Sequence, residues 1–151
     1  MKDTEVKRML REDEGTVFEV YADTEGNLTC GVGHLLAEGS KVNKAICHIF
    51  FKDDYYKAKK DTVKFLTEFN IEIDKTRRGV LICLVFNMGV GSYSKKTGLK
   101  SFRNMILALQ DKDYDTAGME LKDSRWYNID VGRKRGDRMV DILTTGENPY
   151  Y

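Results

Sequence analysis

A chain of 151 residues with 41% hydrophobic content holds enough apolar material for one globular domain, or for two small lobes sharing a core. Twenty-five basic residues against twenty-four acidic ones leave a net charge of +1, which excludes the strong one-sign field of a nucleic-acid or membrane-surface binder. No stretch approaches the ~20 apolar residues of a membrane span, and the opening Met-Lys-Asp-Thr-Glu-Val-Lys-Arg has no hydrophobic signal region, so export by a signal peptide is not expected.

After Met1 the run to Asp13 is polar with apolar points at Val6, Met9 and Leu10, the i, i+3, i+4 spacing of one helix face. Gly15 supplies the stop, because it accepts positive φ without steric cost. Glu14 therefore falls in the last helical turn, where the negative end of the helix dipole disfavours an acid. A solvated surface acid is the default for such a position; a carboxylate set against that trend also suggests a use.

The apolar period then changes to two. Val17, Glu19 and Tyr21 alternate with Phe18 and Val20, and Asp23-Thr-Glu-Gly26 reads as the turn of a hairpin. On the returning strand Leu28, Cys30 and Val32 form an apolar face, with Asn27, Thr29, Gly31 and Gly33 on the other. Glycines beside Thr29 clear that face for a backbone or a ligand, or else mark a flexible edge strand. Two carboxylates, Glu14 and Asp23, thus flank a turn-rich segment, and the chemistry is expected there.

A loop at 37–40 precedes a long helical pattern, Asn43 to Phe69. Its apolar residues Ile46, Ile49, Phe50, Val63 and Leu66 cluster at the two ends and charge fills the middle. This predicts a strut joining two cores, the alternative being two helices broken near Asp53. Asp74 is expected to cap the next helix, whose Val80–Phe86 run is apolar all round and predicts a buried centre. Further helices are expected over 100–110, 114–122 and 133–143, with Trp126 as a core anchor. Cys30, Cys47 and Cys83, an odd number in apolar contexts, read as reduced core residues.

Other chemistries find no support. Gly31-Val-Gly33 lacks the third glycine of a dinucleotide loop. A calcium loop opening at Asp23 would need glycine where Leu28 stands. His34, Cys47 and His48 lack zinc spacing, and there is no Gly-x-Ser-x-Gly elbow. No metal and no cofactor is expected, and the acid pair remains the chemical candidate.

Leu10-Arg-Glu-Asp-Glu-Gly15, Tyr21-Ala-Asp-Thr-Glu-Gly26, Thr29-Cys-Gly-Val-Gly-His-Leu-Leu36, Phe86-Asn-Met-Gly89, Ser124-Arg-Trp-Tyr-Asn128, Arg133-Lys-Arg-Gly-Asp-Arg138 and Thr145-Gly146 occur in that order. Together they resemble the phage lysozymes of the T-even type. The resemblance implies an α+β, two-lobed lysozyme-like fold: a small lobe over 14–42 with a short antiparallel sheet, a linking helix over 43–69, and an all-helical lobe from 1–13 with 70–151. A polysaccharide cleft is expected at the lobe junction.

The implied activity is an endo-acting, inverting muramidase, cutting the β-1,4 bond between N-acetylmuramic acid and N-acetylglucosamine in bacterial peptidoglycan. The resemblance makes Glu14 the general acid, gives Asp23 the activation of water or the support of the transition state, and lets Thr29 hold that water. It places substrate contacts at Gly33, Leu35, Phe86 and Asn87, pairs His34 with Asp53, and sets Arg135, or its rival Arg133, beside the acid. Two departures are visible. The stretch between His34 and Asp53 is shorter than in the best-known relative, so the small lobe should lack a helix, and Asn87 stands where glutamine is familiar, which puts one sugar contact in doubt. The implied protein is a monomeric phage or prophage endolysin with no nucleic-acid or stable membrane partner, held in the host cytoplasm until a holin opens the membrane. A catalytically silent wall-binding module is the competing class.

Overall fold

The computed structural model describes residues 3–150, leaving out the side chains of Asp3, Glu5, Val6 and Glu14. The described residues form six α-helices and one three-stranded antiparallel sheet, an α+β fold. They divide into two compact units, 1–47 and 48–151.

The first unit opens with α1 (Asp3–Glu14), which Gly15 ends at φ +70°, its N–H donating to the Arg11 carbonyl at 3.1 Å. The role of Val6 on the apolar face lies outside the described residues; Met9 and Leu10 are both about half exposed. The strands β1 (Val17–Ala22), β2 (Leu28–Gly31) and β3 (His34–Leu35) lie in the order β1-β2-β3. Val17 pairs with Gly31 but Tyr21 pairs with Thr29, so residues 18–20 stand against Cys30 alone and β1 bulges there.

The expected faces of β2 are reversed. Leu28 is 54% exposed and Thr29 is buried, so the apolar alternation of this strand does not report burial. Gly31 and Gly33 also serve differently from expected. They sit at φ +65° and +62° in the reversal from β2 to β3, and a Cβ at Gly31 would meet nothing within 4 Å. The positive φ of both glycines suits the turn, where an L side chain is strained, and the Gly31 side of it is open space. No helix separates β3 from α2 among the described residues, in line with the shortened stretch.

Helix α2 (Lys44–Glu68) is continuous, with no break at Asp53. Only its second half enters the core. Ala58, Thr62 and Phe65 are buried at i, i+4, i+7, while Val63 lies off that stripe, and Ile46, Ile49 and Phe50 are exposed. Asp74 caps α3 (Lys75–Met88) as expected, its Oδ1 accepting the Arg77 N–H at 2.9 Å. The Val80–Phe86 run is not buried all round. Val80, Leu81, Leu84 and Val85 are inside, but Cys83 and Phe86 lie on the exposed side of α3.

After α3 the chain reverses tightly. A Cβ on Gly91 would lie 1.9 Å from the Thr97 carbonyl oxygen and one on Gly98 2.6 Å from the Gly91 nitrogen, so these backbones approach as only glycine permits. A 3₁₀ turn (Leu99–Ser101) leads into α4 (Arg103–Gln110) and α5 (Tyr114–Lys122), the latter capped by Asp113. A π-helical turn (Trp126–Asp130) precedes α6 (Arg133–Thr145), which ends on Gly146 at φ +75°. Trp126 is 3% exposed and anchors the core as expected. The cysteines do not: Cys30 is half-buried, and Cys47 and Cys83 are exposed.

Candidate active site

β1 delivers Asp23 into the turn that follows it. The Asp23 N–H donates to the Asn27 carbonyl at 2.9 Å, and the Gly26 N–H donates to the Asp23 carbonyl at 3.0 Å, with Gly26 at φ +84°. The Asp23 side chain closes the same loop. Its Oδ1 accepts the backbone N–H of Glu25 at 2.9 Å and of Asn27 at 2.8 Å, and its Oδ2 accepts the Asn27 Nδ2 at 3.3 Å. The Asn27 N–H is the largest influence holding this carboxyl below its ordinary value; desolvation opposes it, and the Asn27 amide and the N–H groups of Glu25 and Gly26 add to the lowering. The net effect favours the ionised form of Asp23. A carboxylate of lowered pKa is a weak proton acceptor, and it is better suited to orienting water and stabilising positive charge than to strong base catalysis.

Thr29 lies in the middle strand, between Tyr21 and Leu35. It is 5% exposed and its Oγ1 donates to the Asn27 carbonyl at 3.3 Å. With its proton committed there, the hydroxyl oxygen offers its lone pairs as acceptors. One carbonyl, that of Asn27, therefore receives both the Asp23 N–H and the Thr29 hydroxyl. Asn27 is the residue that sequence reasoning passed over; its available signal was an amide side chain closing a turn that an aspartate opens.

Glu14 ends α1 through its backbone, and its side chain lies outside the described residues. His34 opens β3 in the first unit, next to Leu35, and both are exposed. Asp53 is an exposed residue of α2 in the second unit, and its pairing with His34 stands as an implication of the resemblance. Phe86 and Asn87 occupy the last turn of α3. The Phe86 ring is tilted against that of Phe51 at 5.9 Å, and the Asn87 Oδ1 accepts the indole N–H of Trp126 at 2.7 Å.

The two rival arginines of α6 differ in surroundings. Arg133 lies against the Tyr127 hydroxyl, which also bonds Asp137. Arg135 is half-buried near Cys83, whose thiol is raised by desolvation against the opposing guanidiniums of Arg135 and Arg138. A hollow of about 600 Å³ on the second unit is lined by Phe102, Arg103, Glu120, Arg125 and Trp126. A smaller one, about 290 Å³, has Phe86 with Asp54, Lys57 and Asp61 on its wall. Among the described residues no group of three or more His, Cys, Asp or Glu is arranged to hold a metal ion.

The family model described as phage lysozyme matches residues 11–140, a span that includes Glu14, Asp23 and Thr29. The chain belongs to the phage lysozyme family. Among its relatives is a probable T4-type lysozyme 2 of Dictyostelium discoideum, 29% identical over 168 residues that cover 93% of this chain and 94% of that one. Probable T4-type lysozyme 1 of the same organism is 26% identical with the same coverage. The pre-baseplate central spike protein of Enterobacteria phage T4 is 27% identical over 95% of this chain, which corresponds to 28% of the spike protein. This lysozyme is therefore a glycoside hydrolase with the α+β fold of its family, and two of these relatives match it over nearly their whole length.

Proposed function

We propose that this lysozyme is an endo-acting muramidase that hydrolyses the β-1,4 bond between N-acetylmuramic acid and N-acetylglucosamine in bacterial peptidoglycan, with inversion at the anomeric carbon. The observation that carries this reading is the joining of Asp23 and Thr29 through one residue, Asn27, inside the segment matched to the family. Glu14 protonates the leaving oxygen as the glycosidic bond breaks. A water on the opposite face of the sugar, held between Asp23 and Thr29, attacks the anomeric carbon and releases a proton toward Asp23. The ionised Asp23 also offsets the positive charge that develops on the sugar ring in the transition state. The family resemblance supplies the remaining candidates: Gly33, Leu35, Phe86 and Asn87 for substrate contacts, and Arg135 or its rival Arg133 as the arginine associated with the acid.

The biological role in the same proposal is that of a monomeric phage or prophage endolysin, acting on the wall after a holin gives it passage from the host cytoplasm. Its support is the ordered run of T-even motifs from Leu10 to Gly146. No helix of the described residues is long and apolar enough to cross a membrane.

The test is the anomeric form of fresh product. NMR of newly cleaved peptidoglycan strands should show the α-anomer first, and β-anomer first would overturn inversion. Glu14→Gln should lower the rate by roughly 10²–10⁴ or more with the fold intact. Wild-type activity in that variant would remove Glu14 from the mechanism, and no cleavage by the parent protein would leave only wall binding.

A further inference from the structure

We propose that Asn27 is a positioning residue of this lysozyme, holding the Asp23 carboxylate and the Thr29 hydroxyl in a single frame for the attacking water. The inference rests on the roles given above to Asp23 and Thr29, and it concerns how their geometry is maintained. Asn27 makes four bonds to those two residues. Its N–H goes to Asp23 Oδ1 at 2.8 Å and its amide to Oδ2 at 3.3 Å, and its carbonyl accepts from the Asp23 N–H at 2.9 Å and the Thr29 Oγ1 at 3.3 Å.

The side-chain bond is the informative one. Asn27 is exposed, so its amide could be solvated by water at little cost, and burial does not force it onto Asp23. Oδ1 already receives two backbone N–H groups, from Glu25 and Asn27, and is the anchored oxygen. Oδ2 receives the Asn27 amide, and as a carboxylate oxygen it keeps further acceptor capacity for a water proton. A carboxylate anchored through one oxygen can still swing about its χ2 torsion, which is broad for aspartate. A second donor on the other oxygen fixes the carboxylate plane and so the direction in which Oδ2 meets the water. The Thr29 hydroxyl is oriented by the carbonyl of the same residue, so both partners of the water take their direction from Asn27. Small displacements of such groups are costly in rate because attack requires aligned atoms.

The experiment is steady-state kinetics on soluble uncrosslinked peptidoglycan strands, across pH, for Asn27→Ala, Asn27→Asp and Asn27→Gln, with thermal unfolding measured alongside. Asn27→Ala should lower kcat roughly three- to tenfold, the scale of one charge-assisted hydrogen bond at an exposed site, with KM changed by less than about twofold. Its acidic limb should move to higher pH, and that of Asn27→Asp further still, because an anion then replaces a donor beside Asp23. Glu25, the acid of the same turn, is unchanged in every variant. Asn27→Gln, which restores an amide on a longer stem, should recover part of the rate. Asn27→Asp is close to isosteric and exposed, and it carries the test should Asn27→Ala loosen the hairpin.

A merely structural Asn27 would lower the unfolding midpoint while leaving kcat and the acidic limb of the folded enzyme in place, and that result overturns the inference. Asp23→Asn and Thr29→Val are run in parallel to separate the two levels. Full activity in both removes the roles assigned to them, whereas loss of activity in both with a wild-type profile in Asn27→Ala removes only the positioning role.

Discussion

The buried indole of Trp126 gives its N–H to the Oδ1 of Asn87 at 2.7 Å, tying the π-helical turn to the last turn of α3. Trp126 is 3% exposed, so without Asn87 this donor has no ready access to water. Asn87→Leu should therefore destabilise the fold by about 1–3 kcal/mol, the cost of leaving a buried donor unpaired. Asn87→Asp keeps an acceptor in the same place and should cost less. Urea unfolding followed by fluorescence reads this directly, since Trp126 is the chain's single Trp. Equal stability of Asn87→Leu and the parent would show that the bond carries nothing. The same contact qualifies the sugar-binding role implied for Asn87, because Oδ1 is committed to Trp126 and the Nδ2 amide is the group left to offer a ligand.

Thr29 gives the sharpest chemical prediction. Thr29→Val is nearly isosteric, preserves the strand and deletes the hydroxyl, so activity should fall by roughly 10²-fold, on the scale of losing one well-placed polar catalytic group. Thr29→Glu sets a carboxylate where the water belongs and should convert attack by water into attack by protein. Intact-protein mass spectrometry after exposure to peptidoglycan should then show a covalent sugar adduct. An unmodified, fully active Thr29→Glu protein would rule out a water between Thr29 and Asp23.

Arg77 ties α3 to the end of α6. Its Nε and Nη2 donate to the carbonyls of Leu143 and Thr144 at 2.7 Å each, its Nη1 meets Asp74 Oδ2 at 2.7 Å, and its guanidinium lies 3.7 Å from the Tyr114 ring centre. A planar fork that bonds the last carbonyls of α6 from α3 cannot be copied by an ammonium group. Arg77→Ala should lower stability by about 2–4 kcal/mol, given two charge-assisted bonds to carbonyls of a helix end and a cation–π contact. Arg77→Lys should recover less than half of that. Denaturant midpoints at constant slope would measure both, and an Arg77→Lys protein as stable as the parent would contradict the fork argument.

Acid should weaken this fold through its turn and cap aspartates. Asp23, Asp74 and Asp113 all sit below their ordinary value of 3.8. For Asp23 the leading cause is the Asn27 N–H. For Asp74 desolvation would raise the carboxyl, but the N–H and guanidinium of Arg77 outweigh it. For Asp113 the Thr116 hydroxyl and N–H dominate. A carboxyl with a lowered folded pKa contributes stability that is complete above its unfolded pKa, near ~3.9, and is lost as pH falls through the folded value. Stability should thus decline below about pH 4, and Asp113→Asn should flatten the decline while lowering stability at neutral pH. An unchanged slope in Asp74→Asn and Asp113→Asn would place the acid sensitivity elsewhere.

Local chemistry makes much of this protein legible in the amino-acid sequence by itself. Asp74 and Asp113 precede helical runs, Gly15 and Gly146 follow them, and Asp23-Thr-Glu-Gly26 closes a hairpin, because caps and turns are decided by a residue and the few backbone groups within its reach. Glu14, Asp23 and Thr29 stand out as candidates for a different reason: their spacing is short and set by one helix end and one hairpin.

Burial was decided only by the tertiary structure. Ile46 and Phe50 in α2, Leu28 in β2 and Phe86 in α3 are as apolar as Phe65 or Leu84, yet they are exposed, because periodicity names a face and does not say whether anything covers it. The bulge over 18–20 set the strand pairing, and the glycines at 31 and 33 belong to a reversal that alternation cannot distinguish from a longer strand. The contacts from Asn87 to Trp126 and from Arg77 to Leu143 join residues far apart in the chain, and no local rule selects those partners. Even Asn27, only four residues from Asp23, is a hub because its carbonyl receives two donors at once, a property of folded geometry that composition and spacing do not carry.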